Sequence, residues 1–352
     1  MLFRSLSFQG SDLKFQDLDP TVTTNRTGTA NITGTFETLL VPNFWKHPLD
    51  ECSVDLAANI QDFHFYNQTF DEMMMNMSFS KQKMIIPEFI VTSAKDNLVL
   101  KGEFDHKKPE KLFVSMNNFD LNQSTFFNQY FPEWIKPFGG ILSMDLTMTK
   151  NKVPPGASQL KKMKWLNHYA MMINLSLYSG IYQNQPMDQT HFIGVWNGSK
   201  LDIQQASFFE ENSKLFLKGK LDTSKSLDIA IQQGTLIDFN DFHVLTAPFG
   251  SLDGLLQING NITGKLNKPK LNLNLDGRNL KSNFISIDRV KGGLSFQNKN
   301  IRFDQFGIQH NENHYELNGF VDYSKIKTGE PFRMANLKYE IALEVKEADL
   351  TH

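Results

Sequence analysis

If this chain performs chemistry, it must do so with its histidines, its carboxylates or its single thiol, so their spacing is read first. Of 9 histidines, His310 and His314 stand at a metal-pair spacing, with Glu312 between them. An i, i+4 pair holds a metal when a helix sets both rings on one face. Asn311-Glu312-Asn313 reads as a turn between strands, and no metal site is expected. Cys52 is the only cysteine, which leaves neither an intrachain disulfide nor a multi-thiolate centre. No Gly-x-Ser-x-Gly elbow, no Walker-type phosphate loop and no GxGxxG after a strand occurs, so nucleophilic, phosphate and dinucleotide chemistry have no anchor. The neighbouring carboxylates Glu210 with Glu211 and Asp238 with Asp241 read as solvated. Sequons at Asn25, Asn31, Asn67, Asn76, Asn122, Asn174, Asn197 and Asn261 read as coincidence in an asparagine-rich chain. The expectation is a protein that is not an enzyme and holds no cofactor and no metal.

Composition narrows the partners. The 352 residues are 40% hydrophobic and 21% charged, which suits a folded, water-facing protein with sequence enough for a core. Lys and Arg number 36 against 38 Asp and Glu, with no long run of either sign, so nucleic acid is not expected as a partner. No stretch approaches the ~18 to 20 apolar residues of a spanning helix. Met1 to Gly10 carries Arg4 but no apolar run long enough for a secretory signal. The chain is therefore either cytoplasmic or a piece whose export signal lies outside it.

The elements that would position any site are organised by a repeat. LVLKGEFD around Gly102, LFLKGKLD around Gly219 and YELNGFVD around Gly319 share one pattern, with the glycines 117 and 100 residues apart. PFGGILSMDLTMTK from Pro137 matches PFGSLDGLLQINGNITGK from Pro248, and NITG recurs at Asn31 and Asn261. The implied boundaries are 1–40 as the end of a preceding unit, 41–150 as a first unit, 151–265 as a second, and 266–352 as a partial third. A Pro-Pro-Gly and lysine-rich linker is expected at 151–165.

Within the units, strict apolar/polar alternation at Leu271 to Asp276, Leu227 to Gln232 and Ile301 to Asp304 predicts one-sided strands. Lys291-Gly292-Gly293, Gln297 to Asn300 and His310 to His314 suit hairpin turns, giving an antiparallel meander. Three-residue spacing of Leu236, Phe239, Phe242 and Leu245 before Pro248 predicts a short amphipathic helix, with a counterpart over Leu121 to Ile135. The fold class is thus mainly β, with a short helix closing each unit.

Gly250-Ser251-Leu252-Asp253-Gly254-Leu255-Leu256, then Asn259 to Gly264, Lys268-Pro269-Lys270-Leu271 and Val290 to Phe296, resemble the glycine-and-strand cadence of AsmA/TamB-like proteins. The match is best over about Phe192 to Tyr323 and fainter over Ile85 to Lys150. The resemblance implies an elongated, curved antiparallel sheet forming a trough, in a periplasmic, inner-membrane-anchored protein of the bacterial cell envelope whose anchor lies outside this chain. It implies phospholipid transport between the two membranes, with phospholipid acyl chains as the partner. The alternatives it leaves are assembly of outer-membrane polypeptides beside a β-barrel protein and a purely structural or adhesive β-solenoid.

The candidate lipid-groove residues follow from strand parity. Leu271, Leu273, Leu275, Ile285, Ile287, Ile301 and Phe303 would line the last unit, and Leu215, Leu217, Leu227, Ile229 and Ile231 would continue the stripe. Alternation alone is equally compatible with a closed core between two sheets. Met73-Met74-Met75, Met77 and Phe79 form either an adaptable apolar contact surface or core filling.

Overall fold

A computed structural model describes residues 2–14, 26–40, 52–65, 68–93, 96–105, 108–121, 138–151, 167–182, 185–242, 252–282, 285–322 and 338–347. These divide into two compact units: Met1–Pro155 with Trp165–Ile181 and Trp196–Gly198, and Gly156–Lys164 with Tyr182–Val195 and Ser199–His352.

The first unit holds β1 (Leu2–Lys14), β2 (Arg26–Leu40), β3 (Cys52–Phe65), β4 (Gln68–Ser80), β5 (Lys83–Ser93), β6 (Asp96–Asp105), β7 (Lys108–Asp120), β8 (Phe138–Lys150) and most of β9 (Tyr169–Tyr182). The second holds most of β10 (Gln185–Trp196), then β11 (Lys200–Glu210), β12 (Ser213–Asp222), β13 (Ser226–Ile231), β14 (Leu236–Asp238), β15 (Asp253–Lys265) and β16 (Lys268–Lys281). It continues with β17 (Ser286–Gln297), β18 (Asn300–His310), β19 (Asn313–Asp322) and β20 (Lys338–Glu347). From β1 to β8, and again from β15 to β20, each strand pairs antiparallel with the next. β13 and β14 act as two pieces of one interrupted strand, because both pair with β12 on one side and β15 on the other. The mainly β, antiparallel meander expected from alternation is what forms.

Turn chemistry explains the tight joints. Asn298 and Lys299 both take positive φ, 50° and 63°, between the paired residues Gln297 and Asn300. That is the combination whose twist matches the flanking strands. Asn311 (φ 54°) follows His310, which pairs with Asn313, so the two histidines flank a hairpin and not a helical turn. Lys291-Gly292-Gly293, expected as a turn, lies inside β17, where the register against β18 shifts. A Cβ on Gly292 would sit 2.6 Å from Phe306 Cα, so its bareness admits a bulge, not a reversal.

The expected helix over Leu236 to Leu245 is overturned in its described part. Leu236–Asp238 is a strand, followed by a 3-10 turn at Phe239–Phe242. Three-residue spacing suits the tighter 3-10 period, and Asp238 Oδ1 accepts the Asn240 N–H (3.1 Å), closing the turn locally. His243 onward, the counterpart segment after Leu121, and the linker beyond Asn151 lie outside the described residues.

The repeated glycines have a shared place. Gly102, Gly219 and Gly319 oppose Ile86, Ile203 and Phe303, the residues at which β5, β11 and β18 bulge. At Gly219 (φ 157°) and Gly319 (φ 141°) an added Cβ would lie 2.2 and 2.1 Å from a neighbouring carbonyl oxygen, so only glycine fits. Gly102 is bare for another reason: the ring of Phe104 would meet its Cβ at 2.6 Å.

Candidate functional site

Residues directly opposite in an antiparallel pair share a face, so the registers trace which side chains stand together. In the second unit one row runs Ile203, Gly219, Ile229, Ile262, Leu271, Phe296, Ile301, Val321, Tyr339. Beside it runs another, Ala206, Leu217, Ile231, Gly260, Leu273, Leu294, Phe303, Gly319, Ile341. Leu215 pairs with Phe208, Leu227 with Gly264, Leu275 with Gly292, and Ile287 with Leu280. With strands ~4.8 Å apart, the rows form an apolar strip crossing many strands.

Eleven of the twelve parity-based residues therefore lie within β12, β13, β16, β17 and β18. Ile285 does not: it sits in the link before β17, 61% exposed, its N–H donating to Ser282 Oγ (3.2 Å). Sequence reasoning missed Ile262, Leu294, Phe296 and Ile341. Alternation in Gln257 to Ile262 was masked by Gly260, and Ile341 lies in a segment, Tyr339 to Val345, whose own period of two was overlooked.

Burial separates this strip from an ordinary core. Of the parity-based residues only Leu227 is buried, at 9% exposure. Leu215, Leu217, Ile229, Ile231, Leu271, Leu273, Leu275, Ile287, Ile301 and Phe303 are all intermediate. The first unit carries a comparable strip: Ile60, Met73, Val91, Leu98, Met116 and Met144 stand opposite one another in turn. Met75, Met77 and Phe79 share that face, opposite Ala58, Leu56 and Val54, whereas Met74 stands on the other face between Asn59 and Ile90.

The other face of the second unit is polar. Asn274, Arg289, Lys291, Asp304 and Glu316 border a concavity of about 1040 Å³ there. Arg289 clamps Asp276 through Nε (3.2 Å) and Nη2 (2.8 Å), and these hydrogen bonds hold the Asp276 carboxyl below its ordinary range. Leu275, Gly292, Ile308 and Tyr315 line the same concavity, so it borders the apolar rows as well as the polar face.

A third feature contradicts the reading of Glu210, Asp238 and Asp241 as solvated: all three are buried. Asp241 Oδ2 accepts the N–H groups of Asn212 (3.1 Å) and Ser213 (2.8 Å), pinning the β11–β12 hairpin tip to the 3-10 turn. Ser213 Oγ accepts the Asp238 N–H (2.8 Å), and Gln185 Nε2 donates to Asp241 O (2.7 Å). Asp188 and Glu210 accept across strands, Glu210 Oε2 from Asp188 N–H and Asp188 Oδ2 from Glu211 N–H, each at 2.9 Å. Burial first, then the nearby Asp188 charge, raises the Glu210 carboxyl above its ordinary value. The aspartates are occupied by backbone donors, so the cluster is a clasp.

Among the described residues no group of three or more His, Cys, Asp or Glu comes together as a metal site, and no helix is long and apolar enough to cross a membrane. Comparison of the chain with protein-family models, with curated proteins and with solved structures returned no match.

Proposed function

We propose that the apolar strip of the second unit carries lipid acyl chains, as the greasy lining of an elongated trough in a non-enzymatic transport scaffold. The observation that supports this reading is the register itself: aliphatic and aromatic side chains from β11 to β20 stand on one face, and apart from Ala206 and Leu227 those in the rows stay short of full burial. A closed core would bury such side chains almost completely.

Energetics sets the requirement. Removing an acyl chain of about sixteen carbons from a membrane forfeits roughly 13 kcal/mol at about 0.8 kcal/mol per CH₂. Only a long apolar surface offsets that in water, and a strip crossing successive strands has the necessary length. The resemblance to AsmA/TamB-like proteins supports the same cargo and a place in the cell envelope, with phospholipid crossing between the two membranes.

The test is extraction of the purified chain with organic solvent, followed by lipid mass spectrometry. Phospholipid should be recovered, and Leu273→Lys with Leu294→Lys should reduce it severalfold. Asn274→Lys, on the opposite face, should leave it unchanged. Lipid-free protein, or equal loss from variants on both faces, would sink the proposal.

A further inference from the structure

We propose that the β15–β16 turn and the neighbouring β12–β13 turn form a docking tip for an anionic phospholipid bilayer, with Leu266 entering the acyl layer and Lys225, Lys265 and Lys268 meeting the headgroup phosphates. The proposal deepens the acyl-carrier reading, on which its functional sense rests, by naming the surface from which the apolar strip would load.

Register brings the tip together. Lys265 stands directly opposite Lys268 across the turn Leu266-Asn267, and Ser226 stands opposite Lys265 on its other side. The Leu266 N–H donates to the Lys225 carbonyl (2.8 Å), which ties the two turns to each other. Lys225, Lys265, Leu266, Asn267 and Lys268 are all exposed, Leu266 at 56%. The β12–β13 turn lies on one side of Leu266 and the β17–β18 turn at Asn298 and Lys299 on the other, so described strands flank the tip on both sides.

Charge defines the occupant. Like charges directly opposite one another destabilise a sheet, yet Lys265 and Lys268 face each other at the turn. The carboxylates nearest in register are matched elsewhere: Asp222 stands opposite Lys200, and Asp228 opposite Lys220. Asp222 Oδ1 also accepts from Ser224 Oγ (2.6 Å) and from the Ser226 N–H (2.9 Å), which occupies it within its own turn. Among the described residues Lys225, Lys265 and Lys268 make no ion pair. Each lysine held at an anionic membrane surface strengthens binding about fivefold.

The leucine separates a bilayer from other polyanions. Two-residue hairpin turns favour Asn, Asp or Gly, but the first turn position here is Leu266. It follows Ile262 and Gly264 at the two-residue period, and the row Leu221, Leu227, Gly264, Pro269 lies just behind it. Apolar burial joined to electrostatic attraction holds proteins at a membrane surface. A nucleic acid or an acidic peptide offers the charge without the acyl layer. At the opposite end of the unit, the β11–β12 tip carries Glu210 and Glu211 instead.

Sedimentation of the full chain with vesicles tests the docking. The chain should pellet with vesicles of phosphatidylglycerol and phosphatidylcholine in equal parts and not with phosphatidylcholine alone, and salt should release it. Lys265→Gln with Lys268→Gln should weaken binding about twenty-five-fold, and Leu266→Asn about tenfold. Lys214→Gln with Lys281→Gln removes the same charge at the opposite end and should change nothing. A polarity-sensitive dye on Leu266→Cys, with the native thiol Cys52 buried, should shift to the blue on the anionic vesicles. Equal binding to neutral vesicles, equal loss from both double variants, an unshifted dye, or binding to polyaspartate but not to vesicles would each overturn the proposal. Solvent-extracted lipid is read separately: a lipid-loaded chain that ignores anionic vesicles sinks the docking alone, and a lipid-free chain that still binds them sinks the carrier reading alone.

Discussion

The two units bury different kinds of residue. In the first, the buried side chains include Ala30, Cys52, Ile60, Met116, Met148 and Leu177, all apolar, with Asn167 a buried polar exception. In the second, Gln185, Ser207, Glu210, Ser213, Thr235, Asp238 and Asp241 are buried, while Ala206, Leu227 and Val290 are its buried apolar residues among those described. The contrast sets a hydrogen-bonded clasp in the second unit beside apolar rows whose side chains are mostly of intermediate exposure. Buried carboxylates are tolerable there because each accepts a backbone N–H: Asp241 from Asn212 and Ser213, Asp238 from Asn240, and Glu210 from Asp188.

The sharpest way to break this comparison is to fill a glycine where the rows cross. Gly260→Val would place Cβ 2.0 Å from Asn272 O at a φ of +150°, and a loss above about 4 kcal/mol is expected, read as a fall in the urea midpoint. Next comes the clasp: Asp241→Ala strands the buried Ser213 N–H and the part-buried Asn212 N–H and should cost about 2 kcal/mol, with faster amide exchange at Asn212 and Ser213. In the first unit, Met116→Ala empties a site only 8% exposed and should cost roughly 2 kcal/mol. Leu273→Ala, at a partly buried site in the second unit, should cost only about 1 kcal/mol. Equal losses at Met116 and Leu273 would mean that both strips are core.

The smallest effect is a pH dependence. Because the folded state raises the Glu210 carboxyl, it binds that proton more tightly than the unfolded chain does. The resulting stabilisation is present below the unfolded glutamate value of about 4.3 and is lost as pH rises through the folded one. Urea midpoints at a series of pH values should therefore show the wild type losing ground to Glu210→Gln between weakly acidic and neutral pH. A gap that stays constant would place Glu210 outside the clasp.

Much of the fold could be read directly from residue order. Alternation at Leu271 to Asp276 marked a one-sided strand, and Gln297 to Asn300 marked the β17–β18 hairpin, because both signals are local. The segment after Leu236 misled, since a three-residue spacing fits a helix, a 3-10 turn or a strand end equally well. Lys291-Gly292-Gly293 misled because a bulge and a turn ask for the same bare backbone. Ile285 was placed by parity alone, and the break before β17 removed it from the row.

The amino-acid order by itself determined that the chain makes antiparallel strands with one apolar face, because side-chain direction in a strand alternates with a period of two. Which strands align, and hence which rows join, depended on bulges at Ile203 and Phe303 that change the register between neighbours. Whether Asp241 is solvated or buried depended on backbone N–H groups 28 and 29 residues away in the chain. Such pairings exist only after the strands have come together, and no window of sequence contains both partners.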